Sequence, residues 1–318
     1  MKLKALSHYE SDLDTRFGDC ILLYDNTNLI VYDCGHSKHK DAVVEFLKKN
    51  ATITAVSIVI SHNDSDHTDG IIPLLDYLHE ANEFAVTVYS SLYLKSARKV
   101  LAVLDDERRT LKATKKRILE KFDNIKAIVE KAQEYGFSVA DARVGTMVVD
   151  NEIVGPTEDE FVEVVAQAID DNVVDTIEGE TVMNAASVQL KCVLNDGTTV
   201  LLCGDASPSF LHNIDGYGII QLPHHGQLSD AEAVFDNLSN AGSKMFLVSD
   251  NTGSGEKSGG SEKLLKSASS KGKRIKNTKD GTVELPEESQ YNGGSSITKS
   301  GIYITPSQKT GGYGCDIL

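Results

Sequence analysis

Short apolar runs alternate with turn clusters along the first third of the chain. Residues 20–24 and 29–32 are rich in branched and aromatic side chains and flank the turn cluster Asp25-Asn26-Thr27-Asn28, so they predict a β-hairpin. From Asp41 to Lys49, Val43, Val44, Phe46 and Leu47 recur at helical spacing. Residues 55–60 are nearly continuous in apolar side chains, the pattern of a buried strand. That run ends abruptly in Ser61-His62-Asn63-Asp64-Ser65-Asp66-His67-Thr68-Asp69-Gly70. Polar residues gathered just past a buried strand mark the place where α/β proteins put a site.

The pattern then changes. Over residues 91–136, Leu101, Leu104, Leu111, Ile118, Phe122, Ile125, Val129 and Ala132 follow steps of three and four, which predicts amphipathic helices with a break near Asp105-Asp106. Arg108 and Lys115 fall on the apolar stripe and interrupt it. Residues 187–194 and 199–203 alternate like strands around Asn195-Asp196-Gly197, a strong hairpin signal. The second of these strands closes on Gly204-Asp205. Residues 219–222 form another short apolar run, leading into Pro223-His224-His225-Gly226. Residues 251–260 are Gly/Ser-rich and predict a loop, and residues 301–305 predict a late strand.

Composition narrows the class. The 318 residues carry 32 Lys+Arg against 47 Asp+Glu, a formal charge of −15, with 40% hydrophobic residues. That is a globular composition, with enough apolar sequence for a sizeable core without disulfides. The net charge argues against coating nucleic acid through bulk charge, but its distribution is uneven. Residues 150–180 hold 11 acids and no Lys or Arg, while residues 91–136 hold 12 basic against 7 acidic residues. Five widely spaced cysteines without a Cys-x-x-Cys pair suit reduced thiols, and no apolar run approaches the ~20 residues that cross a bilayer. The expectation is a cytoplasmic protein with no membrane contact. Its one large domain, residues 1–318, carries a helical insertion at about 91–136 and an acidic segment at about 150–180.

Chemistry concentrates at three strand ends. His62, Asp64, Asp66 and His67 place two imidazoles and two carboxylates within six positions, and Asp205, His224 and His225 follow later strands. Imidazole with carboxylate suits Zn²⁺, Mn²⁺ or Fe²⁺. Because one ion takes three or four protein ligands, a set of this size predicts two.

These motifs resemble the metallo-β-lactamase-fold superfamily. His62, Asp66 and His67 match its His-x-His-x-Asp-His motif, with Asp64 in the second histidine position. The His-x-Asp-x-Asp-His variant is similar to the hydrolase domain of ComEC-like DNA-uptake proteins. Gly18-Asp19-Cys20, Tyr32-Asp33-Cys34-Gly35, Asn184-Ala185-Ala186-Ser187, Cys203-Gly204-Asp205, Leu222-Pro223-His224-His225-Gly226 and Val248-Ser249-Asp250-Asn251 resemble that group in order and spacing.

The resemblance implies a four-layer αββα sandwich with two divalent ions, Zn²⁺ or Mn²⁺, at one edge. It implies that His62 and Asp64 hold one ion, that Asp66 and His67 hold the other, and that Asp205 bridges them. His225 is the expected further ligand and His224 the expected contact to phosphate or leaving group, with Asp33 orienting a ligand histidine. Asn184 stands near where other branches supply a ligand histidine, and Asp66 is an expected proton acceptor. Related proteins often carry a histidine in the segment matching Gly259-Gly260-Ser261, where this chain has none.

The expected activity is hydrolysis of phosphodiester bonds by a hydroxide held on the metals, with a nuclease as one form. A phosphodiesterase acting on a small diester or nucleotide signal is the alternative. A binding or regulatory protein on the same fold is a third reading. A flavo-di-iron redox protein would need a flavodoxin-like domain, for which the chain has no room. DNA or RNA would bind through Lys95, Arg98, Lys99, Arg108, Arg109, Lys112, Lys115, Lys116 and Arg117, helped by Lys271, Lys273, Arg274 and Lys276. The insertion is also the candidate interface of a homodimer.

Overall fold

A computed structural model describes residues 1–8, 18–91, 96–104, 110–170, 176–177, 180–249 and 262–287. The predictions for the break at 105–106, the loop at 251–260, the segment 259–261 and the strand at 301–305 lie outside these residues, as do Lys95, Arg108 and Arg109. Strands β1 (Lys2–Ala5), β2 (Ile21–Tyr24), β3 (Asn28–Tyr32), β4 (Ala55–Val59), β5 (Ala85–Ser90) and β6 (Ser138–Asp141) come first. They are followed by β7 (Met147–Val148), β8 (Asn151–Gly155) and a short ribbon of β9 (Thr176–Ile177) and β10 (Glu180–Thr181). Then come β11 (Gln189–Val193), β12 (Thr199–Leu202), β13 (Ile219–Gln221), β14 (Met245–Val248), β15 (Arg274–Asn277) and β16 (Val283–Leu285).

Two seven-stranded sheets result, in the orders β16-β1-β2-β3-β4-β5-β6 and β15-β14-β13-β12-β11-β8-β7. Both expected hairpins are present: β2 pairs antiparallel with β3, and β11 with β12. Each sheet then turns parallel, through β3-β4-β5-β6 in the first and β12-β13-β14-β15 in the second.

Alternation along the strands explains the layering. Ile21, Leu23, Ile30 and Tyr32 point to one side of the first sheet and meet Ile153, Leu190, Val200 and Leu202 of the second. Leu22, Val31, Val56 and Ile58 point to the other side, where helices cover them. The second sheet likewise turns Leu201, Ile220 and Phe246 outward onto its own helices. With both faces of both sheets covered, the expected four-layer αββα sandwich is what the chain forms.

The helices on the first sheet are α1 (Ser37–Lys49), the single turn α2 (Ser65–Thr68), α3 (Ile71–Ala81), α4 (Ala97–Leu104), α5 (Leu111–Lys121), α6 (Asp123–Glu134) and α7 (Glu158–Ile169). The chain adds the short α8 (Val182–Ala185) and a tight turn at Pro223–Gly226, and α9 (Leu228–Asp236) and α10 (Glu262–Ser270) cover the second sheet. The basic stretch 91–136 is more than an appendage. Ile118, Phe122, Ile125, Ile128 and Ala132 are buried in the same core as α1 and α3, and the stretch makes the crossover between parallel strands β5 and β6. Lys115 is exposed; the stripe runs through buried Thr114 instead, and the helix breaks at Phe122. In α7 the acids serve local needs: Glu160 closes a capping box with Thr157, and three acids occupy the first turn, where the helix dipole favours them. Among the described residues no helix is long and apolar enough to cross a membrane.

Candidate metal centre

The centre lies where the ends of β3, β4, β12 and β13 meet. The turn after β4 carries His62 and Asp64, and α2 carries Asp66 and His67. Asp205 follows β12, and His224 and His225 follow β13. His224 (φ 55), His225 (φ 52) and Gly226 (φ 77) are consecutive left-handed residues, so the turn after β13 presents both imidazoles to one place. Such backbone is uncommon for side chains with a Cβ and is found preferentially at functional sites.

Asp205 is the hub. Its carboxylate lies 3.7 Å from His62 Nε2, 3.5 Å from His67 Nε2, 3.5 Å from His224 Nε2 and 3.9 Å from His225 Nε2. His62 Nε2 is 3.8 Å from Asp64 Oδ2, and His225 Nε2 is 3.4 Å from Asp66 Oδ2. Two ligands bound at about 2.0–2.1 Å in tetrahedral array stand roughly 3.3–3.4 Å apart. The observed spacings are those of atoms around an ion, and too long for hydrogen bonds. Four imidazoles and three carboxylates from the sequence analysis therefore converge, with both His224 and His225 among them. Asn184 joins at the edge, its Nδ2 donating to Asp64 Oδ2 at 3.2 Å.

The outer partners hold the imidazoles in one sense. Asp33 accepts from His67 Nδ1 at 2.8 Å, from Ser61 N at 2.7 Å and from Ser61 Oγ at 2.6 Å. Because the Ser61 hydroxyl donates to Asp33, it can only accept from His62 Nδ1, 2.9 Å away. His225 Nδ1 donates to Asp19 Oδ1 and to the Ser249 carbonyl, each at 3.0 Å. With the proton on Nδ1, the Nε2 lone pairs of His62, His67 and His225 face inward, as carboxylate-backed metal ligands do. Sequence reasoning anticipated Asp33 but not Ser61, Asp19 as a partner of His225, or Gln221, whose Nε2 donates to Asp19 at 2.6 Å. Asp19 was marked by its place in the Gly18-Asp19-Cys20 motif, without a partner named for it, and Gln221 gave no sign.

Glycine makes the loops fit. A Cβ on Gly18 (φ +62) would stand 1.6 Å from the carbonyl oxygen of Asp66, and one on Gly204 (φ +50) 2.7 Å from Ser61 Cβ.

The electrostatics follow from burial and neighbours together. Burial pushes the Asp205 carboxyl up, but His67, His225, His224 and His62 hold it well below the usual carboxylate range. Burial likewise raises Asp66, and the close approach of the His225 imidazole with the charge of His67 overcomes it. Burial lowers His67 and His225, yet the carboxylates of Asp205 with Asp33, and of Asp205 with Asp19, raise them well above the ordinary 6.5. Burial, with the charge of His67, pushes His62 down.

These residues fit divalent ions. His62 Nε2, His67 Nε2, His225 Nε2 and Asp205 Oδ1 are all buried without a hydrogen-bond partner, a costly arrangement that coordination would resolve. Among the described residues, His62, His67 and Asp205 form one group able to hold an ion, and Asp19, His67 and His225 another. Exposure across the centre is uneven. The side chains of Asp64, Asp66 and His224 are 45%, 21% and 14% exposed, against 7% or less for His62, His67, Asp205 and His225.

No family model and no curated protein matches the sequence. Solved structures do. The metallo-beta-lactamase fold protein YhfI from Bacillus subtilis is 11% identical, with 89% of this chain and 98% of that chain covered and a TM-score of 0.48. A metallo-beta-lactamase from Cronobacter sakazakii is 15% identical over 74% of this chain and 75% of its own, with a TM-score of 0.33. A long form RNase Z from yeast is 13% identical over 77% of this chain and 36% of its own, with a TM-score of 0.36. The sandwich rests on the chain's own sheet topology, and the chemistry of the centre on its own side chains.

Proposed function

We propose that the chain is a metal-dependent hydrolase of phosphodiester bonds with nucleic acid as its substrate class, and that two divalent ions work in the centre. The observation that carries this reading is the convergence of four imidazole Nε2 atoms and three carboxylates on one opening, where His62 Nε2, His67 Nε2, His225 Nε2 and Asp205 Oδ1 are buried without a hydrogen-bond partner. His62 and Asp64 would hold one ion, Asp66, His67 and His225 the other, and Asp205 both. Bound divalent ions would supply Lewis acidity and bring the pKa of a water toward neutrality.

The chain's own groups supply the rest. Asp64, in a position the resembling family gives to histidine, adds a third carboxylate and favours harder ions such as Mn²⁺ alongside Zn²⁺. Three carboxylates leave about one net positive charge on two divalent ions, which suits an anionic diester. Asp66 is ionised and opens toward solvent, so it can accept a proton there. His224 stands at the rim with Nδ1 3.6 Å from Asp230 Oδ2, placed to touch a phosphate oxygen or a leaving group. Lys112, Lys115 and Lys116 are exposed on α5, next to the helix that borders the opening, and would give salt-dependent phosphate contacts.

Protein loaded with Mn²⁺ or Zn²⁺ is to be assayed on bis-p-nitrophenyl phosphate and on single-stranded DNA and RNA. The expected result is turnover of all three classes, falling to background in Asp205→Ala. Turnover of the small diester alone would replace nucleic acid by a small phosphodiester. No turnover with two ions bound would refute the enzyme and leave a binding protein.

A further inference from the structure

Asn63 sits between two of the candidate ligands and takes no part in the chemistry above. It is tied to the basic helical segment by three hydrogen bonds. Its Oδ1 accepts from the backbone N–H of Ile125 at 3.0 Å, its Nδ2 donates to Asp123 Oδ1 at 3.0 Å, and its carbonyl accepts from Asn124 Nδ2 at 2.8 Å. The first residues of a helix have N–H groups with no partner inside the helix. Phe122, the residue at the N-cap of α6, offers no capping side chain. Asn63 supplies the missing acceptor from 62 positions away in the chain. It therefore caps α6 in place of a local residue.

The anchor at the far end is firm. Phe122, Ile125 and Ile128 are buried in the core beneath the first sheet, and the Phe122 ring meets Phe161 of α7 at 5.9 Å between centroids. The near end is the opposite. Asp64 has the most exposed side chain of the candidate ligands, and its carboxylate is steadied by the bond from Asn184 Nδ2. With both the side chain and the carbonyl of Asn63 clamped, the peptide groups leading out of His62 and into Asp64 have little freedom to turn.

We propose that Asn63 is a positioning residue that couples the cap of α6 to the ion held by His62 and Asp64. The coupling rests on the two-metal reading above. It is reciprocal: a clamp that favours the bound geometry is itself tightened by the ion. The basic α5–α6 pair is thereby linked most directly to His62 and Asp64; Asp66 and His67 follow one turn later on α2, while His225 and its partner Asp19 come from other elements.

The test uses the full chain, titrated with Mn²⁺ and with Zn²⁺ by calorimetry, with amide hydrogen exchange read at Ile125. In the wild type two ions bind, and exchange at Ile125 slows when the ion at His62 and Asp64 is in place. Asn63→Ala is expected to weaken one binding event about 10- to 100-fold, as loss of an outer partner does, to weaken the other far less, and to abolish the metal-dependent slowing. Asn63→Asp keeps the acceptor for Ile125 but sets a carboxylate against Asp123. It should weaken the same event, and Asp123→Asn in the same chain should restore it. That rescue separates positioning from general damage, even if Asn63→Ala folds poorly. Two ions bound at wild-type affinity by Asn63→Ala, or both events weakened alike without rescue, would overturn the coupling alone. A wild type that takes up fewer than two ions would overturn the two-metal reading and the coupling with it.

Discussion

Asp33→Asn isolates what an outer carboxylate does in this centre. Asp33 is buried in the left-handed region (φ 59), a conformation Asn tolerates, so the backbone and the volume are retained and the charge is lost. Oδ1 accepts from Ser61 N at 2.7 Å, and Oδ2 accepts from Ser61 Oγ at 2.6 Å and from His67 Nδ1 at 2.8 Å. An amide must keep its oxygen toward the Ser61 N–H, because an NH₂ there would face a second donor. Its NH₂ then replaces Oδ2. The Ser61 hydroxyl can rotate and accept, but His67 Nδ1 can accept only by giving up its proton. The neutral ring would carry its hydrogen on Nε2, the atom aimed at Asp205 3.5 Å away, and would be lost as a ligand.

The cost is therefore paid at the metal. Loss of an outer partner lowers metal affinity about 10- to 100-fold, or roughly 1.4–2.8 kcal/mol. Removing one charge-assisted hydrogen bond lowers metal-free stability by about 1.5–3 kcal/mol. Competition with a chelator reads the first quantity and urea unfolding of the metal-free protein the second. A variant with wild-type metal affinity and lowered stability would refute the tautomer reasoning, because it would show His67 coordinating without its carboxylate.

Gly18→Ala should damage the ligand loop directly. Left-handed strain costs roughly 1–2 kcal/mol, and the added Cβ would fall 1.6 Å from the Asp66 carbonyl oxygen, so unfolding midpoint and metal content should drop together. An unchanged midpoint would show that the loop yields at little cost. His39 supplies a pH prediction. It is buried with neither ring nitrogen hydrogen-bonded, and burial holds its pKa well below 6.5. A neutral folded histidine contributes fully above the unfolded pKa, and that contribution is lost as pH falls below 6.5 toward the folded value. His39→Leu should flatten the acid side of the stability curve by up to about 1.4 kcal/mol per pH unit. Parallel curves for the two proteins, from urea titrations at several pH values, would count against it.

The basic stretch shows how packing gives a sequence pattern its meaning. Its three- and four-residue steps announced helices but not their task. Ile118, Ile125 and Ile128 turn out to cover the first sheet, and the stretch is the crossover that lets β5 and β6 run parallel. A helical period reports a buried face without reporting which surface buries it.

The candidate ligands were legible because their chemistry is local. His62 to His67 lie within six positions after an apolar run, and Asp205, His224 and His225 end runs of the same kind. Strand alternation likewise determined which side chains face each layer, since a period of two admits one assignment once a face is buried. What surrounds the ligands was decided only by the tertiary structure. Asp19 meets His225 across 206 positions, Gln221 meets Asp19 across 202, and Asn63 meets Ile125 across 62. Asn63 stood in the polar cluster and Asp19 in the opening motif, but neither pattern named a partner, and Gln221 carried no mark at all. Their roles arise because strand pairing brings distant chain ends to one sheet edge, where buried imidazoles must find partners for their second nitrogen.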